Sequence, residues 1–164
     1  MDFGTSMIGI IFLLFCIIIF VILSRSNSKK EKELLKTLES LTGQSNCTIS
    51  RYDIWNHSVI GIDDSAKIIF VIRNTNNHSN SFQLNLSEMK KCSVINTGKT
   101  GSDEGGNYKV LEKLELAFTC RDKNRPEILI EFYDRNDSTS SLSDELLLVK
   151  KWCKIANDQM INPS

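Results

Sequence analysis

From Met7 to Leu23 the chain carries no charge, and every residue except Gly9 and Cys16 is strongly apolar. At ~1.5 Å per residue, the stretch from Thr5 to Ser24 reaches ~30 Å, the hydrocarbon thickness of a bilayer, so the pattern predicts a membrane-spanning helix. The texture then changes. Between Lys29 and Leu41, Leu34, Leu38 and Leu41 recur at helical spacing with Leu35 beside them, while Glu and Lys fill the other faces. This predicts a short juxtamembrane helix, for which Gly43 is the expected stop.

Beyond Gly43 the period shortens to that of strands separated by polar turns, and seven are expected. They are Ile49 to Trp55, Ser58 to Ile62, Lys67 to Arg73, Phe82 to Leu86, Lys91 to Asn96, the run around Leu114 to Cys120, and Ile128 to Phe132. In the third, Ile68 to Ile72 are apolar without alternation, which predicts a strand that is central or covered on both faces. The glycine-rich and charged stretch Thr97 to Asn107 reads as a loop, and strands six and seven as a hairpin. Ser141 with Asp144 reads as a capping box opening a last helix. Its face of Leu142, Leu146, Val149, Cys153 and Ala156, flanked by Leu148 and Trp152, runs to about Asn157 and packs on the sheets.

These elements predict an α+β chain: a transmembrane anchor over 1–25, a juxtamembrane helix and linker over 26–43, a folded domain over 44–158 and a tail over 159–164. Orientation follows from the flanks. Arg25, Lys29, Lys30 and Lys32 follow the apolar run, whereas only Asp2 and the terminal amine precede it. The N-terminus is therefore expected outside and the domain in the cytoplasm. A cleaved signal peptide would need a basic start and a small-residue cleavage site, and Phe20 to Ser24 supplies none. Phe15 before Cys16 suits lipoprotein processing poorly, and the run lacks the early glutamate of a prepilin.

The rival orientation draws on five N-x-S/T triplets, starting at Asn46, Asn56, Asn77, Asn85 and Asn136, which would suit a glycosylated ectodomain with two disulfides. Abundant asparagine and serine generate such triplets by composition, so the charge bias decides. Cys47, Cys92, Cys120 and Cys153 are widely spaced, without the C-x-x-C pair of a zinc site, and read as thiols mostly in the core. Lysine plus arginine equals aspartate plus glutamate at 20 each, so no basic field recommends nucleic acid as a partner.

Seven antiparallel strands closed by a C-terminal helix bearing Trp152 resemble the pleckstrin-homology-like fold, over roughly Ile49 to Asn157. The resemblance implies either a partly open barrel or two packed sheets whose corner the helix plugs, and a scaffold used for protein contacts. Inositide-binding members grip phosphates with basic residues around the first hairpin. Here that hairpin reads Asn56-His57-Ser58, with only Arg51 and Lys67 near it, so inositide binding is not implied. The chain as a whole resembles a bacterial single-pass membrane protein.

Candidate chemistry is sparse. Ser93 to Thr100 matches a phosphate-loop pattern except for serine at its first glycine, but Gly101, Gly105 and Gly106 follow where a helix should begin. Asp53, His57, Asp63 and Asp64 lie close in sequence, yet Asp63-Asp64 is ordinary turn chemistry and His57 falls at a hairpin tip. His78 stands in a polar loop. No catalytic, cofactor-binding or metal-binding residues and no cofactor are therefore assigned. The expectation is a non-catalytic interaction or scaffold module with the lipid bilayer and an unidentified protein as partners, and a homodimer through the juxtamembrane leucines as a further option. The alternatives are a membrane-bound enzyme or small-ligand binder with a site in the β-layer, and the extracytoplasmic glycoprotein.

Overall fold

The computed structural model describes residues 31–75, 78–103, 106–136 and 141–161. Residues 31–44 form a helix, here α1. Seven strands follow: β1 Arg51–Trp55, β2 Ser58–Asp63, β3 Ile68–Thr75, β4 His78–Asn85, β5 Met89–Asp103, β6 Gly106–Cys120 and β7 Ile128–Asp134. The chain closes with α2, Leu142–Ile161. The strands make two antiparallel meanders, a four-stranded sheet ordered β1-β2-β3-β4 and a three-stranded sheet ordered β5-β6-β7. A single 3-10 turn, Leu86–Glu88, carries the chain from one sheet to the other.

One expectation is overturned. The pattern called for three helices, the first spanning a membrane. The described residues contain two, and neither is long and apolar enough to cross a bilayer. α2 has the length, but Asp144, Glu145, Lys150, Lys151 and Lys154 place charge along it. The run Met7 to Leu23 lies outside the described residues. The α+β class with seven antiparallel strands and a closing helix stands.

The unbroken apolar run of β3 has its physical reason in two cores. Ile69 and Val71 face one way and join Ile60, Ile62, Leu84, Leu116, Phe118, Phe132 and Trp152 between the sheets and α2. Phe70 and Ile72 face the other way, with Val59, and are covered by Leu34 and Leu38 of α1. The leucine stripe that could have paired two chains is thus occupied by the chain's own sheet. Gly61 makes the close approach feasible: a Cβ there would lie 3.1 Å from Ile49 Cδ1 and 3.3 Å from Leu38 Cδ2.

α1 does not stop at Gly43. It ends in a Schellman arrangement, in which Cys47 N–H donates to Thr42 O at 3.0 Å and Asn46 N–H to Gly43 O at 3.4 Å. Asn46, at φ 52°, takes the left-handed position. The start of α2 also differs in detail from a side-chain capping box. Asp144 and Glu145 donate their N–H groups to the Ser141 carbonyl, and the Ser141 hydroxyl instead meets Ser143 Oγ at 2.7 Å. The helix continues beyond Asn157 to Ile161.

Two tryptophans tie the halves together. Trp55 of β1 stacks on Phe132 of β7 with ring centroids 4.5 Å apart, and its Nε1–H donates to the Phe132 carbonyl at 3.1 Å. Trp152 of α2 is fully buried and donates Nε1–H to Asp53 Oδ2 at 2.8 Å, while Lys151 Nζ reaches the same oxygen at 2.6 Å.

Two stability measurements check this packing. Gly43 is an exposed helical residue with open space where a Cβ would be, so Gly43→Ala should raise stability by ~0.5–1 kcal/mol in urea denaturation. Gly61→Val forces bulk between β2 and α1 and should cost ~1–3 kcal/mol. Equal melting of Gly61→Val and the natural chain would show that α1 does not press on β2.

Candidate functional site

Two strands of this fold outrun their sheet. The β5–β6 pairing continues from Met89↔Cys120 to Asp103↔Gly106, whereas β7 pairs with β6 only from Lys113↔Asp134 to Phe118↔Ile128. Beyond Glu112, whose carbonyl accepts from Arg135 N–H at 2.9 Å, β5 and β6 pair as strands only with each other among the described residues. Gly98 to Asp103 at ~3.4 Å per residue makes a two-stranded arm of roughly 20 Å. Such a ribbon is marginal by itself in water, and each of its two edges turns alternate N–H and C=O groups away from the pairing.

The arm's root is built firmly. Val94 and Leu111 pack against the main core. The register shifts between Thr97 and Gly98, and a Cβ on Gly98 would meet the Val110 carbonyl oxygen at 2.7 Å, so only glycine permits this approach. Lys99 Nζ lies 2.7 Å from Glu112 Oε1 across the ribbon, an exposed pair worth little in stability that leaves the lysine largely in solvent. Lower on β5, α2 closes the strand's outer edge. The Asn157 side-chain amide accepts from Cys92 N–H at 3.0 Å and donates to Cys92 O at 2.9 Å, which mimics a neighbouring strand. The edge is therefore capped at Cys92, and the arm extends past that cap.

Sequence alone reads Thr97 to Asn107 as a loop, because the stretch is glycine-rich and charged. The structure pairs this stretch as strand on both sides of residues 104 and 105. Tyr108 and Val110, β-formers at period two ahead of Leu114, were the available signal. The phosphate-loop-like segment Ser93 to Thr100 falls wholly within β5, with no helix after it. It has no cradle of backbone amides to offer a phosphate.

The scattered acids and His57 do not converge on a site. Asp53 is engaged by Lys151 and Trp152. Asn56 and His57 form the two-residue β1–β2 turn at φ 33° and 60°, and His57 is exposed. Asp64 pairs with Arg51 at 2.7 Å and accepts from Gln159 Nε2 at 2.8 Å. Asp63 is buried and organises the β2–β3 turn, accepting from Ser65 Oγ, Ser65 N–H, Ala66 N–H and, from the segment ahead of β1, Thr48 N–H. The Ser65 hydroxyl and these amides hold its carboxyl well below the ordinary carboxylate range, at about 2. His78 opens β4 opposite Thr75. Among the described residues no group of three or more His, Cys, Asp or Glu could hold a metal, and Cys47, Cys92, Cys120 and Cys153 are free thiols.

A second polar cluster links the sheets. Glu131 of β7 accepts from Arg73 of β3 and Lys113 of β6, each at 2.7 Å, with Asp134 3.7 Å from the same lysine. Burial pushes the Glu131 carboxyl up, but the Lys113 and Arg73 hydrogen bonds outweigh it and the net shift is downward. The described residues also line open grooves. One of about 200 Å³ is lined by Leu41, Phe70, Phe82 and Gln83 among others. Another, of about 310 Å³, lies between Leu84, Met89, Ile128 and the Glu88–Arg125 ion pair. Neither includes His57 or Asp53 in its lining. No family model, curated protein or solved structure matches the chain.

The Asp63 turn makes a pH prediction with a definite sign. A carboxyl depressed in the folded state stabilises fully above its unfolded value, near 3.8, and loses that contribution as pH falls toward about 2. Asp63→Asn should therefore be less stable than the natural chain at neutral pH, with the gap closing between about pH 4 and pH 2. Urea denaturation of both proteins across that range checks it; a gap that stays constant would contradict the assignment.

Proposed function

We propose that this chain is a non-catalytic interaction module whose β5–β6 arm engages a partner protein by strand addition. The observation that carries the proposal is the arm itself: a ribbon continued past the last residue that β7 supports, with backbone hydrogen-bonding groups along both edges. Main-chain pairing supplies affinity in such a mode, and neighbouring side chains supply selectivity. A rigid root suits this task, because an arm held in place by Gly98, Val94 and Leu111 loses less conformational freedom when it binds. The order of two meanders and a C-terminal helix supports assigning the domain to the pleckstrin-homology-like scaffold, as does Trp152 at the centre of that helix's buried face. The unassuming first hairpin, Asn56-His57, argues for protein contacts over inositide headgroups on that scaffold.

The proposed place of action is the cytoplasmic face of a membrane. The support is in the sequence: an uncharged segment from Met7 to Leu23 followed by Arg25, Lys29, Lys30 and Lys32. The described part of α1, from residue 31, includes Lys32 of that basic flank and is packed on the domain's own sheet, so a tether there would hold the domain close to the bilayer. Confinement of this kind raises the effective concentration of a membrane partner without any additional contact.

Site-specific photo-cross-linking tests the proposal. A photoreactive residue at Lys99, on the arm, should capture one defined protein from membranes solubilised in mild detergent. The same probe at Leu147, on the exposed side of α2, should not. Identical capture patterns from the two positions, or capture of abundant background proteins alone from Lys99, would rule out the arm as the binding element.

A further inference from the structure

Sulfur collects where α2 crosses the sheet, and its arrangement is not symmetrical. Met89, Cys92 and Cys120 are buried in the main core, with Cys153 of α2 partly buried against them. Cys120 has a thioether and a carbonyl for neighbours: its Sγ lies 3.9 Å from Met89 Sδ and 3.6 Å from the Pro126 carbonyl oxygen. Cys47 belongs to the other core, beneath α1. Among the described cysteines, only Cys92 and Cys153 adjoin each other. The Cys153 thiol donates to the Cys92 carbonyl, its Sγ 3.5 Å from that oxygen, which brings the two residues side by side.

Asn157, one helical turn beyond Cys153, fixes this juxtaposition. Its Nδ2 donates to Cys92 O at 2.9 Å and to Cys153 O at 2.8 Å, and lies 3.5 Å from Cys153 Sγ; its Oδ1 accepts from Cys92 N–H at 3.0 Å. One amide therefore grips the backbone of β5 and the backbone of α2 beside both sulfurs. Relative motion of the two cysteines is restricted to their own side-chain torsions, the freedom that bond formation between them requires.

We propose that Cys92 and Cys153 are a reversible dithiol–disulfide pair, which locks α2 to β5 when the chain meets a peroxide or a small-molecule disulfide. With a peroxide, the Cys153 sulfur attacks one oxygen, the O–O bond breaks, and a sulfenic acid and water result. The Cys92 sulfur then displaces that hydroxyl as a second water. In sum two S–H bonds break and one S–S bond forms, and hydrogen peroxide takes up two electrons and two protons to become two waters. With a small disulfide, exchange through a mixed disulfide at Cys153 releases two small thiols. Cys153 is the first to react because it is the more exposed of the pair. Burial, reinforced by Cys153 beside it, pushes the Cys92 thiol far up, so Cys92 acts as the resolving sulfur.

The bridge would close a loop of about 60 residues that contains β6, β7 and β5 from Cys92 onward, and restricting the unfolded chain in that way raises the melting temperature. It would also make permanent the cap that Asn157 places on β5 just below the arm. The proposal stands independently of what the arm binds.

The test uses the full-length chain in mild detergent, treated with hydrogen peroxide or oxidised glutathione, alkylated, and mapped by peptide mass spectrometry. The expected product is one Cys92–Cys153 linked peptide, with Cys16, Cys47 and Cys120 alkylated, and a melting temperature several degrees higher that returns to its starting value with dithiothreitol. Cys153→Ser, at a half-buried position that tolerates the change, should abolish the shift, and Cys120→Ser should retain it. Full alkylation of Cys92 and Cys153 after unfolding the oxidant-treated chain, a bridge to another cysteine, or a bridge that leaves the melting temperature unchanged would overturn the proposal.

Discussion

The structure depends on a four-stranded sheet whose interior strand β3 is apolar on both faces. A sheet with one such face needs one cover, and β3 demands two, because leaving either Ile69 and Val71 or Phe70 and Ile72 in water would forfeit ~1.5–3 kcal/mol for each large side chain. The second sheet with α2 answers one face, and α1 answers the other. The rest of the architecture follows from these two burials, including a glycine at position 61 where the helix must come close.

Polar contacts serve that packing more than they drive it. Asp53 receives Trp152 and Lys151, so the indole that fills the space under α2 keeps a partner for its one donor. Trp55 solves the same problem from β1 by donating to the backbone of β7. Glu131, held by Arg73 and Lys113, places an ionic contact between the two sheets where removing either cation would leave a partly buried carboxylate short of partners. Asn157 stands apart, because its amide pairs with an exposed strand edge instead of filling a core. It stops β5 from being paired at its root and leaves the edges open farther out, which separates a closed part of the sheet from an open part.

That division relates fold to function. In the packed body the carboxylates near His57 do not converge: each is committed to a turn, an ion pair or a tryptophan. The body also carries a supported two-stranded arm, whose unpaired strand edges offer backbone groups to which another strand can add. The cysteine pair sits under the same cap and offers a means to stiffen the junction between body and arm.

Much of this could be read before any coordinates. Period two in Leu114 to Cys120 and in Ile128 to Phe132, the unbroken run in β3, and the apolar face of α2 all located their elements, because each signal arises from a single element's own geometry. Local sequence misplaced the features that arise between elements. Gly43 looked like a stop, but Asn46 could adopt the left-handed turn and let the helix run on. Gly98 to Asn107 looked like a loop, but a long partner strand lent pairing to residues with weak propensity of their own. The destination of the Leu34 and Leu38 stripe, the meeting of Cys92 with Cys153, and the Asp53 link to Trp152 join residues distant in sequence. Only tertiary packing decided them, since periodicity says which face of a helix is apolar but not which surface will cover it.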